Sequence, residues 1–357
     1  MLMKQLICIV LSGMALLFQP GYAQDGRYRN LVLEGGGIRG FAYAGAFEIL
    51  DSLQLLDDIE RVGGTSAGAI QATLLAVGYT PREIMEIAQH VPLRKFNDGG
   101  LFKGFRRLKK QFGWHKGQKM SEWIEGLIAA KTGNGNITFA ELYRDRQAKG
   151  YKALYITGTD LTYQCIRVFS HESYPDMRIK DAVRISASIP IYFGAVLMDD
   201  QGKVYEQRDS TRNWHVMADG GVLSNYPLFL FDSTRFITGM DTLPNRFMEN
   251  PETLGLMMEM PEQIAFNRQQ PGNHPFAIHT MRDYLKALYS TLIDKPNPDY
   301  NGHSTLRRTV AISNLNISGR IRKISRETVE GFVASGREGV RQFFREEDVW
   351  SRREGRK

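Results

Sequence analysis

From Asn30 onward, short apolar runs alternate with longer stretches of helical spacing. Leu31-Val32-Leu33 is an apolar run ending in glycines, and Phe41 to Leu53 carries Phe41, Ala44, Ala46, Phe47 and Leu50 at a helical period. Ile59 to Val62 predicts a second short strand. Ser66 to Val77 is small and apolar nearly all round, which predicts a buried helix. Pro81 opens another helix, at the one turn that tolerates proline. Tyr151 to Thr157 and Gln164 to Phe169 predict consecutive strands, the first holding the unbroken run Ala153-Leu154-Tyr155-Ile156 expected of a buried sheet. Val216-Met217-Ala218 and Phe236-Ile237-Thr238 predict two more. This alternation predicts an α/β fold with a largely parallel sheet. After about Glu259 the pattern turns mainly helical. Its clearest helix is Arg326 to Phe344, with Ser325 as cap.

The first residues stand apart from this pattern. Lys4 precedes the apolar run Leu6 to Phe18, and Gly21-Tyr22-Ala23 places small residues where a signal peptidase reads them. The run is short for a membrane span. The expectation is export, with cleavage after Ala23 and a final address in the periplasm, on the outer surface or in the medium. Three segments follow: a leader at 1–23, a catalytic domain at 24–259, and a mainly helical region at 260–357 packing on or extending it. Loss of the leader removes Lys4 and no acid, so the net charge of +7 becomes +6. It also removes Cys8 and leaves Cys165 as the one thiol, so no internal disulfide is expected and the core must supply stability. A charge of this size permits attraction to anionic surfaces without singling out nucleic acid, and no nucleic-acid partner is expected.

Two glycine-rich turns carry the chemistry. Gly64-Thr65-Ser66-Ala67-Gly68 has the form G-x-S-x-G, which places a serine on a sharp bend between strand and helix with its hydroxyl exposed. Gly35-Gly36-Gly37-Ile38-Arg39-Gly40, at the end of the preceding strand, offers free backbone N–H groups where an oxyanion would form. Gly35, Gly37 and Gly40 also satisfy G-x-G-x-x-G. A dinucleotide site would need an acidic residue at the carboxyl end of the next strand, and Asp57 and Asp58 stand at its wrong end. A purely structural tight turn is the remaining alternative. Arg39 would either lend positive potential to the oxyanion or brace the loop. Asp219-Gly220-Gly221 supplies a carboxylate on another turn, and together these parts suggest a hydrolase of acyl esters.

In this order, Gly-Gly-Gly-x-Arg-Gly, Gly-Thr-Ser-Ala-Gly, Ala187-Ser188-Ile189-Pro190 and Asp-Gly-Gly, the chain resembles the patatin-like phospholipases over Asn30 to Glu259. The resemblance implies a three-layer α/β/α fold. It also implies lipid acyl hydrolase activity with no metal or other cofactor, and a Ser–Asp dyad in place of a triad. Carried over by motif, Ser66 is the nucleophile, Asp219 its base, and the N–H groups of Gly35 to Gly37 form the oxyanion hole. The long polar stretch Asp199 to Arg212 and the extended C-terminus depart from the pattern, at the mouth of the site and in substrate range.

In that reading Asp219 takes the Ser66 proton and returns it to the leaving alcohol, while the helix starting at Ser66 favours negative charge at the same place. A triad would need a later histidine, and His274, His279 and His303 follow Asp219 in polar, weakly patterned stretches. Ser188 lacks elbow glycines and reads as packing near the site, and Asp160 reads as a turn residue. Phe102 to Lys119 places Phe102, Phe105, Leu108 and Phe112 roughly on one helical face among Lys103, Arg106, Arg107, Lys109 and Lys110. Such a segment either lies in a membrane interface or covers the core with its phenylalanines turned inward. Acyl-ester hydrolysis of phospholipid or lysophospholipid leads. Hydrolysis of neutral lipid or small esters, lipid binding without catalysis, and dinucleotide-dependent oxidoreduction follow in that order.

Overall fold

The computed structural model describes residues 28–354 except 207–212, 241, 271, 276 and 290–302. The expected leader at 1–23 therefore lies outside the described residues, as do the end of the polar stretch before Asp219 and the last three residues. Among the described residues no helix is long and apolar enough to cross a membrane.

Along the first half of the chain the strands are β1 (Asn30–Leu33), β2 (Arg61–Gly64), β3 (Gly113–His115), β4 (Ala153–Asp160) and β5 (Cys165–Phe169). Then come β6 (Ile191–Phe193), β7 (Val196–Met198), β8 (Val204–Tyr205), β9 (His215–Asp219), β10 (Thr253–Glu259) and β11 (Thr309–Ser313). Nine of them form one sheet in the order β11-β10-β1-β2-β4-β9-β7-β8, with β5 also paired to β4. The β11-β10-β1-β2-β4 half is parallel, and β5, β7, β8 and β9 are antiparallel to their neighbours. The expectation of a largely parallel sheet thus holds for one half of a mixed sheet. Helices cover both faces, giving the three layers. All four residues of β1 and all seven of β10 are buried, as central strands covered on both faces must be.

The helices used below are α1 (Ala42–Ser52), α2 (Ala67–Ala76), α3 (Pro81–His90), α4 (Leu101–Gln111), α5 (Gln118–Thr132), α6 (Phe139–Lys149), α7 (Ile179–Ser186), α8 (Pro261–Gln269), α9 (Met281–Tyr289) and α10 (Arg326–Glu354). Helix α2 is apolar all round and buried in the main core, as its composition predicts. Thr80 caps α3 with a full capping box, its hydroxyl accepting from the Glu83 N–H, and Pro81 fills the first turn. Ser325 caps α10 by accepting the Thr328 N–H at 3.1 Å.

One expectation fails here. Phe236 closes a short 3-10 turn, Thr234–Phe236, and no strand runs to Thr238. Its ring meets Tyr155 and Phe231 edge-on, so this apolar run marks a packed turn. The C-terminal region is mainly helical, and its one described strand, β11, adds to the sheet beside β10. Helix α10 lies tightly along α1: a Cβ on Gly45 would overlap the Val333 carbonyl, and one on Gly336 the Ala42 carbonyl. Residues from both ends of the chain therefore share one core, Tyr28 meeting Phe344 edge-on at 6.4 Å.

Candidate active site

β2 ends at Gly64, and the chain bends at Thr65-Ser66 into α2. Ser66 holds φ 52° and ψ −119°, a conformation that L residues adopt rarely and at a cost. The bend is possible because the backbone closes on itself. A Cβ on Gly68 would overlap the carbonyl oxygens of Leu33 and Glu34, and one on Gly64 would overlap the backbone of Gly68. Ser186, at the end of α7, accepts the Ser66 N–H on its Oγ at 2.9 Å. Thr65 Oγ1 lies 2.6 Å from Thr157 Oγ1 and donates to the Ser224 carbonyl at 3.0 Å, so β2, β4 and the turn after Asp219 are pinned together.

β9 brings Asp219 to the same point. Ser66 Oγ donates to Asp219 Oδ2 at 2.7 Å, and the Gly221 N–H donates to Oδ1 at 2.8 Å. Gly220 lets the turn lie close on Thr157. Burial pushes the Asp219 carboxyl up to about 7, against the smaller lowering effects of the bonds from Ser66 and Gly221. A carboxylate so placed can take and return a proton near neutral pH. Among the described residues, Ser66 and Gly221 are the hydrogen-bond partners of this carboxylate, and neither is a histidine. His274 instead gives its N–H to Gln263 and packs on Phe266, His279 is exposed, and His303 opens a short helix before β11.

The glycine loop is more committed than its sequence suggests. The Gly35 N–H donates to the Asn225 carbonyl at 2.9 Å, so Gly35 is not the free oxyanion donor expected of it. Asn225 Nδ2 in turn donates to Glu34 Oε1 and to the Gly35 carbonyl, both at 3.0 Å. One side chain thereby clamps the loop to the turn that carries Asp219. Gly37 takes φ +55° at the head of the 3-10 turn Gly37–Phe41, and the Ile38 N–H donates to the Gly319 carbonyl at 3.1 Å. Arg39 donates to the Gly36 carbonyl through its N–H at 3.1 Å and its Nε at 3.2 Å, which is the bracing role. Gly40 packs against Ala67. Among the described contacts no backbone bond takes the N–H of Gly36 or Gly37. In the first turn of α2 the Gly68 N–H is already taken, donating to the Thr65 carbonyl at 2.7 Å.

Asp160 is a turn residue, as expected. Its Oδ1 accepts the N–H groups of Thr162 and Tyr163, and its Oδ2 faces Arg167 at 3.1 Å and His215 Nδ1 at 2.6 Å. Ser188 is also structural. It exchanges hydrogen bonds with Arg184, while its carbonyl accepts the Asp219 N–H at 3.0 Å.

The segment Phe102 to Lys119 is not one helix. Helix α4 stops at Gln111, Phe112 reverses the chain at φ 60°, and β3 then pairs with β6, Gly113 opposite Ile191 and His115 opposite Phe193. Phe105 and Phe112 do not turn into the core: they are 69% and 48% exposed, with Ile191 at 69% beside them in the β3–β6 ladder. Arg107, by contrast, is folded inside the hairpin on the carbonyls of Trp114 and Gly99. Arg184 is buried, which pushes its guanidinium down to about 10. It donates to the carbonyls of Lys116 and Gly194 and to Ser188 Oγ. An unbroken run of bonds therefore joins the exposed hairpin to the backbone of Asp219.

Glu34, Ser186, Arg184 and Asn225 were not read from sequence. Asn225 had a signal, since Ser224-Asn225-Tyr226-Pro227 is turn chemistry six residues beyond Asp219. Glu34 and Ser186 have partners far away along the chain, and Arg184 joins near ones, Ser188 and Gly194, to the distant Lys116.

The family model described as Patatin-like phospholipase matches residues 31–232. The chain is 34% identical over 214 residues to an uncharacterized protein, R571, of Acanthamoeba polyphaga mimivirus, covering 60% of this chain and 64% of that protein. It is 30% identical over 203 residues to a probable lipid hydrolase, 463L, of Invertebrate iridescent virus 6, covering 56% and 62%. VipD of Legionella pneumophila shares the fold at a TM-score of 0.54 and 16% identity, over 89% of this chain and 66% of that one. In each case the chain spans slightly less than two thirds of the relative's length.

Proposed function

Because the chain belongs to the patatin-like phospholipases, we propose that it is a serine hydrolase releasing fatty acid from phospholipids or lysophospholipids. The observation that carries this reading is the 2.7 Å bond from Ser66 Oγ to a buried Asp219 carboxylate raised to about 7. Asp219 takes the Ser66 proton as Oγ attacks the acyl carbon. The carbonyl electrons move to oxygen, where the N–H groups of Gly36 and Gly37 and the α2 N-terminus hold the charge. Collapse breaks the ester C–O bond, and the leaving alcohol takes the proton from Asp219. Water then adds to the acyl-enzyme, gives its proton to Asp219, and the second collapse returns that proton to Ser66 Oγ as the fatty acid leaves.

Membrane contact through the α4–β3 hairpin belongs to the same reading. Phe105, Phe112 and Ile191 form an exposed apolar edge, with Arg106, Lys109 and Lys110 exposed beside it. Such an edge suits an anionic bilayer surface. Export by the leader at 1–23 would place the enzyme beyond the cytoplasm.

The test is acyl release from mixed phospholipid vesicles, with a chelator present, by the parent, Ser66→Ala and Asp219→Asn. Fatty-acid release by the parent alone is expected. Fluorophosphonate labelling of Ser66 without release would move the substrate to neutral or small esters. Absence of labelling would overturn the catalytic reading.

A further inference from the structure

A groove of about 580 Å³ opens between the end of α3, the following loop and the C-terminal segment, and neither Ser66 nor Asp219 lines it. Its walls are apolar: Met85, Ala88 and Leu93 on one side, Ile324, Val329 and Val333 on the other, with Phe41 at the 3-10 turn. The charges around it are unequal. Arg326 is paired with Glu330 at 2.9 Å, Arg337 with Glu48 at 2.7 Å, and His90 Nδ1 faces the Glu86 carbonyl at 2.8 Å. Arg94, Lys95 and Lys323 are exposed on the rim, and no carboxylate pairs with them among the described residues.

Three unpaired cations over an apolar slot suit an amphiphile with one negative head. The volume falls within the ordinary range of small-molecule sites, about 300–1,000 Å³, with room for one acyl chain rather than two. A zwitterionic lysophospholipid would bring its own cation to a cationic rim. We propose that this groove is a second, non-catalytic lipid site that holds a free fatty acid. The chain lies on the apolar walls, and the carboxylate meets Arg94, Lys95 and Lys323. That the ligand is the enzyme's own product rests on the hydrolase reading above; the site itself does not.

The experiment titrates the fluorescent fatty acid cis-parinaric acid into the full chain carrying Ser66→Ala. The same protein is then tested with Arg94→Gln, Lys95→Gln and Lys323→Gln together, and separately with Leu93→Trp to fill the slot. Saturable binding is expected, weakened about tenfold or more by the triple change and abolished by Leu93→Trp, with thermal unfolding retained in both. Palmitate should displace the probe, whereas lysophosphatidylcholine and inorganic phosphate should not. The proposal is overturned by an absence of binding, by binding that both groove variants leave unchanged, or by displacement with phosphate or lysophosphatidylcholine as effective as palmitate. Fluorophosphonate labelling of the groove variants that retain Ser66 separates the two readings. Failure to label would sink the hydrolase and leave the binding result standing.

Discussion

The floor of the site and its rim are built on opposite terms. On the floor, β1, β2 and the start of α2 meet backbone to backbone, Ser66 is 7% exposed, and the polar atoms of Glu34, Asn225 and Asp219 are committed to named partners. On the rim, the α4–β3–β6 hairpin leaves Phe105, Phe112 and Ile191 largely in water and buries an arginine instead. The floor has spent its freedom on placing one hydroxyl and one carboxylate. The rim keeps apolar surface uncovered where the floor tolerates none. On the proposed reading the floor carries the chemistry and the rim meets the lipid, so substitutions in the two regions should fail differently.

The largest effect is expected at the dyad. Ser66→Ala and Asp219→Asn should each lower kcat by about 10³-fold or more on every ester, with folding kept. A loss confined to vesicle substrate would erase the distinction between floor and rim. Next, Gly68→Val should cost about 3 kcal/mol or more of stability in denaturant titrations, since its side chain has only carbonyl oxygens to enter.

The raised Asp219 pKa gives a pH test in two parts. On the proposed mechanism, activity on a small soluble ester requires the carboxylate, so it should rise about tenfold per pH unit toward 7 and level above it. Stability runs the other way. The folded state holds the Asp219 proton up to about 7, while an unfolded aspartate releases it near 3.8, so this group's contribution falls as pH rises through that window. Asp219→Asn should therefore unfold at a higher temperature than the parent at pH 8, and at about the parent's temperature at pH 4.

On the rim, Phe105→Ser with Phe112→Ser should lower vesicle turnover about tenfold through lost apolar burial. Turnover of a small soluble ester should stay as it was. An equal loss on both substrates would assign the hairpin to the chemistry. The smallest effect is on backbone strain. Ser66→Gly should be about 1 kcal/mol more stable than Ser66→Ala, because glycine takes φ 52° without cost.

The floor was legible wherever its geometry is local. G-x-S-x-G reads directly as the bend at Ser66, because small residues on both sides are what that bend requires. Asp219-Gly220-Gly221 reads as a carboxylate on a turn for the same reason. What failed to read was set by partners distant along the chain. Gly35 looked like an oxyanion donor until Asn225, 190 residues away, took its N–H. The apolar face from Phe102 to Phe112 reads as helix and is one to Gln111, but the pairing of β3 with β6 that follows has no local mark. β11 sits in a region of helical pattern and is a strand because β10 offers it an edge.

By itself the sequence determined the chemical parts: an α/β alternation, a serine on a glycine-bounded bend, an aspartate on a second one, and a glycine loop between strand and helix. Each follows from φ/ψ limits and side-chain size within a few residues. Only the tertiary structure decided which donors remain free, how deeply Asp219 is buried and hence where it titrates, and which phenylalanines face water. Those properties depend on desolvation and hydrogen-bond competition among groups that the chain brings together only when folded.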